Sequence, residues 1–501
     1  MIEQDHLFYR LSRAVCILCF QPRAIRCTPF QGAKIVTRYP VARAAVLYFL
    51  LAAIFQPAFG KDKVDLLISG GTILTMDGTH RIVENGAIAI RGDRIVEVGP
   101  AAQLRDRYEA AQLLSAAGQL VMPGFVNGHN HAPMVLFRGI ADDMKLSDWL
   151  QKFIFPAEAR NVNREFVEAG TALACLEMIR SGTTTYADMY YFEDQVAEVT
   201  AQAGLRGVLG ETIIQFPAPD NKTPQEGLSY AERFIKRWKG NALIEPAVAP
   251  HAPYTNSAET IRACKELADK YAVPVLIHVS ETQDESTEMR QKYGMTSTQW
   301  LASLGALGPN VFFSHGVWLS EDDLGLIKKY GVTITHNPES NMKLASGTAP
   351  IERILALGIP LGLGTDGAAS NNDLDMFEAM DITAKLHKLI LKDPAATPAE
   401  QVVEMATIGG ARALRLDKDI GSLENGKKAD LILVDLNEAH AVPLYNYYSH
   451  LVYALKSADV RTTVINGKVV MRDGRFLTLD SKKVIERARE MQKRIAASLK
   501  N

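Results

Sequence analysis

Cysteine and net charge are both scarce in this chain, and each scarcity excludes a class of protein. Only five of the 501 residues are cysteine, too few for a disulfide framework. Cys16, Cys19 and Cys27 precede residue 40, while Cys175 and Cys264 fall on helix-like segments and are expected to be buried as small apolar side chains. A formal net charge of −2 gives no basic field, so no nucleic-acid partner is expected. Hydrophobic residues, in contrast, make up 47% of the chain, enough for a large core and more than one domain.

The first 60 residues differ in composition from the rest. Arg38 and Arg43 precede an uncharged apolar stretch, residues 44–55, which is followed by Pro57-Ala58-Phe59-Gly60. This layout is typical of a secretory signal peptide, and the stretch is shorter than the roughly 20 residues that a membrane span needs. We therefore expect export to the periplasm or the medium, with residues 38–60 as the signal segment. The alternatives are an uncleaved N-terminal anchor or a misassigned start, which would leave a membrane-anchored or cytoplasmic protein.

Eight apolar runs stop at histidine or at an acidic residue, and they carry the fold prediction. The runs and their polar stops are 120–126 before His129 and His131, 183–187 before Asp188, 206–210 before Glu211, 244–249 before Pro250 and His251, 275–277 before His278, 311–314 before His315, 332–335 before His336, and 361–365 before Asp366. The segments between them, such as 258–271 and 321–330, have helix-like apolar spacing. Strands that alternate with helices indicate a parallel sheet, so the chain is α/β.

Eight such units over about 250 residues are the size of a (β/α)8 TIM-like barrel, whose active site lies at the C-terminal ends of the strands. The polar stops would then face one shared cavity. The simpler interpretation is that loops are polar and strands end where loops begin. That interpretation does not explain why so many of the stops are histidine in a chain with only 11.

A second, smaller domain is predicted from both ends of the chain. Residues 64–74 suggest a strand, a Gly70-Gly71 turn and another strand, and residues 87–98 form a hairpin around Gly-Asp. Residues 429–434 and 460–470 continue the pattern near the other end, and together these segments predict a composite β-sandwich that supports the barrel. The predicted organisation is a leader (1–60), an N-terminal sandwich segment (61–119), the metal-dependent barrel (120–419), a C-terminal sandwich segment (420–478) and a C-terminal helix (479–501).

His129 and His131 predict a metal site. Residues i and i+2 of an extended segment point the same way, so two imidazoles at one strand end can bind a single divalent cation. His278 and Asp366, at the ends of the fifth and eighth strands, complete a set of three histidines and one aspartate. This set suits Zn²⁺ with one position open for water, and Fe²⁺ is the alternative.

Hydrolysis at such a site also needs groups that move protons. Zinc lowers the pKa of its water toward about 7, and Asp366 is placed to accept a proton from it. Glu281 lies three residues past His278 and can reach a bound substrate, while His315 ends the next strand and can orient the water. The alternative for Glu281 is a carboxylate at a helix start, stabilised by the helix dipole.

Six stretches of the chain resemble motifs of the amidohydrolase superfamily, in the branch of 5-methylthioadenosine/S-adenosylhomocysteine deaminases, to which triazine chlorohydrolases are related. They are PGFVNGHNHAP at 123–133, HAPYT at 251–255, HVSET at 278–282, SHG at 314–316, HNPESN at 336–341 and GTDGAASNN at 364–372. The resemblance covers residues from about 64 to 475, and it implies a mononuclear metal enzyme with the barrel and composite domain described above.

The resemblance also implies roles for individual residues. The metal ligands would be His129, His131, His278 and Asp366. Glu281 would protonate the ring nitrogen beside the attacked carbon, and His315 would assist the hydroxide. The pattern Trp-Leu followed by Pro-x-Glu places the ribose-binding carboxylate at Glu158. His251 would bind substrate, and Trp149 would line the base or thioether pocket. Taken without the family, Glu158 resembles a solvated helix residue and Trp149 a core residue.

Two absences refine this prediction. Binuclear members of the superfamily carry a modified lysine at the end of strand four, where this chain has Val248-Ala249-Pro250-His251, so a single metal is expected. Some relatives that accept S-adenosylhomocysteine carry an arginine on strand three, where this chain has Glu211. That substitution disfavours the homocysteine substrate and leaves 5-methylthioadenosine and adenosine open.

The sequence thus predicts a zinc-dependent hydrolytic deaminase of adenine nucleosides, a hydrolase that acts on the C–N bond of a cyclic amidine. Water attacks C6 of the purine, Glu281 protonates N1 and ammonia leaves. The partner is a small purine nucleoside, and a homo-oligomer is expected because relatives commonly associate. The alternatives are a triazine chlorohydrolase or aminohydrolase, a guanine deaminase, or a binding protein without turnover.

Overall fold

The computed structural model describes residues 60–500. The predicted leader and its three cysteines lie outside the described residues, apart from Gly60. The strands are β1 (Asp62–Leu74), β2 (Ile82–Arg91), β3 (Arg94–Pro100), β4 (Tyr108–Ser115), β5 (Gln119–Pro123), β6 (Phe125–Asn130), β7 (Thr183–Tyr190), β8 (Arg206–Ile213), β9 (Ile244–Pro250), β10 (Val275–Val279), β11 (Val311–His315), β12 (Thr333–His336), β13 (Leu361–Leu363), β14 (Leu431–Asp435), β15 (Val460–Ile465), β16 (Lys468–Arg472) and β17 (Arg475–Phe476).

Most helices follow the strands of the barrel. The α-helices are Ala101–Arg107, Leu146–Asp148, Phe155–Asn161, Arg164–Arg180, Glu193–Ala203, Pro224–Trp238, Ala258–Tyr271, Gln283–Tyr293, Ser297–Ser303, Glu321–Tyr330, Pro338–Lys343, Ile351–Ala356, Met376–Leu391, Ala399–Ala406, Ile408–Ala413, Tyr447–Tyr453 and Ser481–Ser498. A π-helical turn spans Trp149–Ile154, and short 3-10 segments span Ala132–Phe137, Pro253–Thr255, Ala439–Ala441 and Ser457–Asp459. None of the helices between residues 60 and 500 is long and apolar enough to cross a membrane.

The parallel barrel predicted from the sequence is confirmed. Strands β6 to β13 form one sheet in chain order, and every pairing between neighbours is parallel. The last strand returns to the first through two hydrogen bonds: Asp366 N donates to His129 O (3.0 Å), and Thr365 N donates to Asn127 Oδ1 (3.1 Å). This closure brings the loop after β13 beside the end of β6, which is where the predicted ligands lie.

The composite domain is also confirmed, as a nine-stranded sheet drawn from both ends of the described chain. Its order is β17-β16-β15-β14-β5-β1-β2-β3, with β4 paired to β1. The two ends meet where β5 and β14 run antiparallel, with Leu433 opposite Val121. Residues from both ends, including Ile68, Ile88 and Leu431, share one buried apolar cluster, so neither end has a complete core alone.

Two local expectations were wrong. The run 120–126 is not one strand, because β5 ends at Pro123 in the composite sheet and β6 begins the barrel at Phe125. Gly124 separates them, and a Cβ there would lie 2.0 Å from Thr184 Cγ2. Gly70-Gly71 is not a turn either: β1 continues through both residues with a shift in register between Ser69 and Gly71. The bulge places Gly70 at a φ of +95°, a conformation that is unfavourable for any residue with a Cβ, so a glycine is needed there.

Helix predictions from apolar spacing were accurate. Ala258–Tyr271 and Glu321–Tyr330 are helices over the predicted residues. Cys175 and Cys264 lie on helices and are fully buried, as expected. Four strands run past their predicted ends, so His129, Asp188, Glu211 and His278 lie within β6, β7, β8 and β10 instead of in the loops that follow.

Candidate active site

A cavity of about 600 Å³, counting the part open to solvent, lies at the C-terminal ends of the barrel strands. Its polar lining consists of His131, Glu158, Tyr190, Tyr191, Thr212, His251, Tyr254, His278, Glu281, His315, Asp366 and Ser370. Its apolar lining includes Met134, Leu146, Trp149, Leu150, Ile154, Phe155 and Leu344. The structure therefore brings eight of the nine sequence-predicted site residues to one cavity, and the ninth, His129, lies beside Asp366.

The four predicted metal ligands converge at the bottom of this cavity. Asp366 Oδ1 lies 3.2 Å from His129 Nε2 and 3.3 Å from His131 Nε2. His278 Nε2 lies 3.3 Å from His131 Nε2. A ligand atom from each of His129, His278, His315 and Asp366 lies within 4.8 Å of the others. These spacings put several donor atoms around one point, as a single ion requires.

The histidine rings are oriented by backbone carbonyls. His131 Nδ1 donates to Met189 O (2.7 Å), and His278 Nδ1 donates to His251 O (2.7 Å). In a neutral imidazole the other nitrogen then carries a lone pair. Two Nε2 lone pairs that face each other at 3.3 Å cannot hydrogen-bond. The donor set therefore fits a divalent cation, which would satisfy both lone pairs together with the Asp366 carboxylate.

Asp366 remains a carboxylate despite its burial. Burial alone would raise its pKa, but His129 and His131 hold the pKa well below the usual range. Gly367 N donates to Oδ1 (2.8 Å), and Ser370 Oγ donates to Oδ2 (2.9 Å). The backbone at Asp366 is left-handed, with a φ of +62°. Strain of this kind is commonly found at functional sites.

Glu281 and His315 lie beside the ligand cluster. Glu281 is only 5% exposed, and burial, followed by the charges of Asp366 and Glu285, raises its pKa well above the ordinary value. His315 Nε2 lies 3.9 Å from Glu281 Oε1. Burial lowers the pKa of His315, and its Nδ1 donates to Asn341 Oδ1 (2.8 Å). The site thus combines a carboxyl that favours its protonated form with a neutral imidazole whose Nε2 accepts hydrogen bonds.

Asn341 was missed as a functional residue by the sequence reasoning. It lies in the HNPESN stretch at 336–341, which was used only for the family resemblance. The sequence did offer one signal for a functional role: this asparagine lies in a motif that begins at the histidine ending a strand. Its contact with His315 is long-range in sequence, so the spacing of residues does not reveal it.

Glu158 and Trp149 belong to the wall of the same cavity. Glu158 is 4% exposed, and the Tyr190 hydroxyl donates to its Oε1 (2.8 Å). Burial raises the pKa of Glu158 to about 7, so it is not the solvated helix residue that the helix pattern alone indicates. Trp149 is buried, and its Nε1 has no hydrogen-bond partner among residues 60–500. An orphaned donor in a cavity wall is available to a ligand.

His251 connects the wall to the ligand cluster. It follows β9, its Nδ1 lies 3.0 Å from Thr255 Oγ1, and its carbonyl accepts from His278. Burial, followed by the neighbouring His131 and His129, lowers the pKa of His251 to about 3. Its ring is therefore neutral in the protein and can exchange hydrogen bonds with a neutral heterocycle.

Glu211 does not face the cavity. Side chains alternate along β8, and Thr212 lines the cavity, so Glu211 points to the outer face of the barrel. There it accepts from Asn221 Nδ2 (2.8 Å) and from Glu193 N (3.2 Å). It therefore cannot repel a substrate carboxylate. What the described cavity lining does lack is any lysine or arginine that would attract one.

Family models match two regions of the chain. The model described as the amidohydrolase family matches residues 120–470. A second model, the imidazolonepropionase-like composite domain of bacteria, matches residues 86–108, which lie in the composite sheet.

Similar proteins share nearly the whole length of the described structure. The chain is 48% identical to 5-methylthioadenosine/S-adenosylhomocysteine deaminase 1 of Syntrophus aciditrophicus over 88% of this chain and 99% of that protein. It is 43% identical to a 5'-deoxyadenosine deaminase of Methanosarcina mazei over 86% of this chain and 99% of that protein. The crystal structure of an adenosine deaminase from Xanthomonas campestris with bound zinc superposes with a TM-score of 0.86 at 38% identity, covering 87% of this chain and 100% of that one.

Proposed function

The chain belongs to the amidohydrolase family, and from that premise we propose that it is a zinc-dependent deaminase that hydrolyses an adenine nucleoside to the inosine analogue and ammonia. The observation that carries the proposal is the convergence of imidazole lone pairs and the Asp366 carboxylate beside Glu281 in one cavity. Relatives with deaminase activity at 43–48% identity support the choice of reaction.

His129, His131, His278 and Asp366 would hold the ion. Three nitrogens and one carboxylate oxygen are ligands that Zn²⁺ prefers, and the set leaves a position open toward the cavity. When bound, the ion supplies Lewis-acid activation of the attacking water. Fe²⁺ is compatible with the same donors, so the identity of the metal is part of the proposal.

Proton transfer is assigned to Glu281, His315 and Asp366. Glu281 is assigned as the acid because burial raises its pKa well above the ordinary value, and it delivers its proton to N1 of the purine. Protonation of N1 makes C6 electrophilic at the moment of attack. His315 accepts a hydrogen bond from the attacking water through Nε2, while the Asp366 carboxylate receives one proton of that water and passes it to the departing amine. The second proton of the water, carried by the new C6 hydroxyl, returns to Glu281 as ammonia leaves, which forms the C6 carbonyl and restores the acid.

Nucleoside binding is assigned to Glu158, Trp149 and His251. Glu158, held by the Tyr190 hydroxyl, accepts hydrogen bonds from the ribose hydroxyls. Trp149 offers its free Nε1–H, and His251 contacts the base. Replacement of Glu158 by glutamine would therefore weaken nucleoside binding, whereas a triazine or guanine substrate, which has no ribose, would be converted at an unchanged rate.

The cavity favours a nucleoside with an uncharged 5' end. Much of its remaining lining is apolar and includes Leu146, Leu150, Phe155 and Leu344. The described lining offers no cation to pair with the amino-acid carboxylate of S-adenosylhomocysteine. We therefore expect 5-methylthioadenosine and 5'-deoxyadenosine to exceed S-adenosylhomocysteine in kcat/KM.

An ultraviolet assay of the purified, zinc-loaded full chain tests these proposals. The substrates are 5-methylthioadenosine, 5'-deoxyadenosine, adenosine, S-adenosylhomocysteine, guanine and a chlorotriazine. We expect loss of the adenine absorbance with release of ammonia, and a fall in kcat of about 10²–10⁴-fold in Glu281→Gln. Turnover of guanine or the triazine alone would overturn the nucleoside assignment, and metal binding without any turnover would favour a binding protein.

We infer that residues 38–60 direct export, which cell fractionation of the tagged full chain tests: a cytoplasmic, full-length product would contradict it. The homo-oligomer expected from the family stays a prediction, and sedimentation of the purified protein at several concentrations would decide it.

A further inference from the structure

Glu285 lies behind the loop that carries Glu281, and it contacts that loop with both carboxylate oxygens. Oε1 accepts from Ser280 N (2.8 Å) and from the Ser297 hydroxyl, and Oε2 accepts from Glu281 N (2.9 Å). The side chain is 3% exposed. A buried carboxylate whose two oxygens both bind backbone amides fixes the position and the orientation of that backbone.

These contacts differ from ordinary helix capping. Thr282 is the N-cap of the helix Gln283–Tyr293, and its side chain accepts from Glu285 N (3.2 Å). In a capping box, a glutamate at the third helical position returns to the amide of the N-cap residue itself. Glu285 instead reaches the amides of Ser280 and Glu281, the two residues before the cap. The contact therefore orders the loop that leaves β10 more than the helix end.

The loop needs such a contact because its backbone is strained. Ser280 has a φ of +55°, a left-handed conformation that is unfavourable for a residue with a side chain. Its carbonyl accepts from Trp318 N (2.9 Å), so the peptide groups on both sides of Ser280 are held. Val279 O is held in the same way by Gly316 N (3.1 Å). This conformation sets the direction in which the Glu281 side chain leaves the strand.

We propose that Glu285 is a positioning residue for catalysis, which holds the Ser280–Glu281 peptide so that the Glu281 carboxyl points into the cavity beside His315. The inference rests on the proposed function, in which Glu281 transfers the proton. The glutamate carboxylate is required because two amide donors must be accepted at once. Glutamine has the same shape but offers one acceptor oxygen and an amide nitrogen, which cannot accept from the second N–H.

Glu285→Gln tests the proposal, with Ser297→Ala as the matched control. Ser297→Ala removes the third hydrogen bond of Glu285 but leaves both contacts to the Ser280–Glu281 backbone. We expect kcat of Glu285→Gln to fall at least tenfold, while KM changes less than threefold and the metal content per chain stays that of the wild type. In Ser297→Ala, kcat should stay within threefold of the wild type.

A crystal structure of Glu285→Gln gives a readout independent of activity. We expect the Ser280–Glu281 peptide to rotate and the Glu281 carboxyl to move away from His315, with β10 and the histidine ligands unchanged. An unchanged loop together with a kcat within threefold of the wild type would overturn the proposal, as would a loss of kcat explained by lost metal or an unfolded protein. Wild-type enzyme that deaminates no nucleoside would overturn the proposed function first and this inference with it.

Discussion

At the scale of single residues, the site depends on carboxyl groups that are buried in different surroundings. Asp366 has two imidazoles beside it and a lowered pKa, while Glu281 has acidic neighbours and a raised one. When the surroundings lower the pKa of one carboxyl group and raise that of another, the first is suited to act as a base and the second as an acid. Glu158 belongs to the second class, because burial raises its pKa to about 7 without a cation in contact.

The raised pKa of Glu158 predicts a pH-dependent change in stability. Since the folded protein binds this proton more tightly than the unfolded chain, the contribution of Glu158 is favourable below pH 4.5 and is lost as the pH rises through about 7. Glu158→Gln cannot lose a proton, so its free energy of unfolding relative to the wild type should increase from pH 5 to pH 8. The upper limit is about 3 kcal/mol, from the shift between 4.5 and about 7.

Urea denaturation of both proteins at several pH values measures this difference. Gln283, which is on an exposed helix face, supplies a control in Gln283→Ala, whose stability relative to the wild type should not depend on pH. A difference between Glu158→Gln and the wild type that stays constant from pH 5 to pH 8 would show that Glu158 is ionised in the folded protein.

At the scale of elements, alternation of apolar runs and helical spacing predicted the strands and helices of the barrel, because both patterns are local. These patterns did not predict the π-helical turn Trp149–Ile154, which affects how Trp149 and Glu158 are placed relative to each other. In a regular α-helix of about 100° per residue, Trp149 and Glu158 would lie on opposite faces. The wider turn changes their angular separation, and both line one cavity. The burial of Glu158 therefore required either the structure or the family resemblance.

The break between β5 and β6 was missed for a similar reason. Apolar residues continue from Leu120 to Val126, and only a contact with Thr184, distant in sequence, requires a residue without a Cβ at position 124. The contact of Asn341 with His315 is also between residues distant in sequence, whereas Glu285 contacts residues only four and five positions before it. The convergence of the predicted metal ligands, in contrast, could be predicted because each lies at or near the C-terminal end of a barrel strand, and these ends meet at one face.

Gly124→Ala tests the importance of the break. A Cβ would lie 2.0 Å from Thr184 Cγ2 and 2.3 Å from its Oγ1, so the two strands must separate. We expect a loss of about 1–3 kcal/mol in the free energy of unfolding, as for other overpacked sites. Gly325→Ala is the control, since Gly325 lies within the helix Glu321–Tyr330 with no atom near its added Cβ. Its stability should rise by about 0.5–1 kcal/mol. Equal stabilities for the two variants would contradict the prediction.

At the scale of the whole molecule, a buried ion pair joins the barrel to the composite sheet. Arg206, at the start of β8, donates to Asp430 Oδ2 through Nε (2.8 Å) and to Oδ1 through Nη2 (3.2 Å). Asp430 also accepts from Asn466 N (2.6 Å). The pair lies at the end of the barrel opposite the cavity.

Asp430→Asn should therefore affect stability and not catalysis. It leaves the Arg206 charge buried without its counter-ion, which typically costs about 3–5 kcal/mol. The exposed pair of Arg353 and Glu321 (Arg353 Nε to Glu321 Oε1, 2.9 Å) is the control, and Glu321→Gln should leave the unfolding midpoint unchanged because solvent screens that pair. Chemical denaturation measures both variants. If Asp430→Asn stayed folded but had a lower kcat, the ion pair at one end of the barrel would affect catalysis at the other end, which would contradict the prediction.

Removal of the metal should lower both activity and stability of the whole barrel. The four proposed ligands come from three strand ends, and a bound ion stabilises the folded chain by about 4 kcal/mol when its free concentration is a thousand times its Kd. We expect dialysis against a chelator to abolish turnover and to lower the Tm. Return of Zn²⁺ or Fe²⁺ to separate samples, with metal analysis, would identify the ion. Full turnover by metal-free protein would contradict the proposal that a metal ion at this site is needed for catalysis.

The pairing of β5 with β14 also has a consequence for the timing of synthesis. Strand β5 is synthesised early, but its partner β14 follows after more than 300 residues. At about 5–20 residues per second, β5 waits on the order of a quarter of a minute to a minute for this partner. The edge of β5 that will pair with β14 is exposed to other chains during that interval. We therefore expect a need for chaperones to protect the N-terminal strands, and a nascent chain truncated before β14 should aggregate even though the barrel sequence is almost complete.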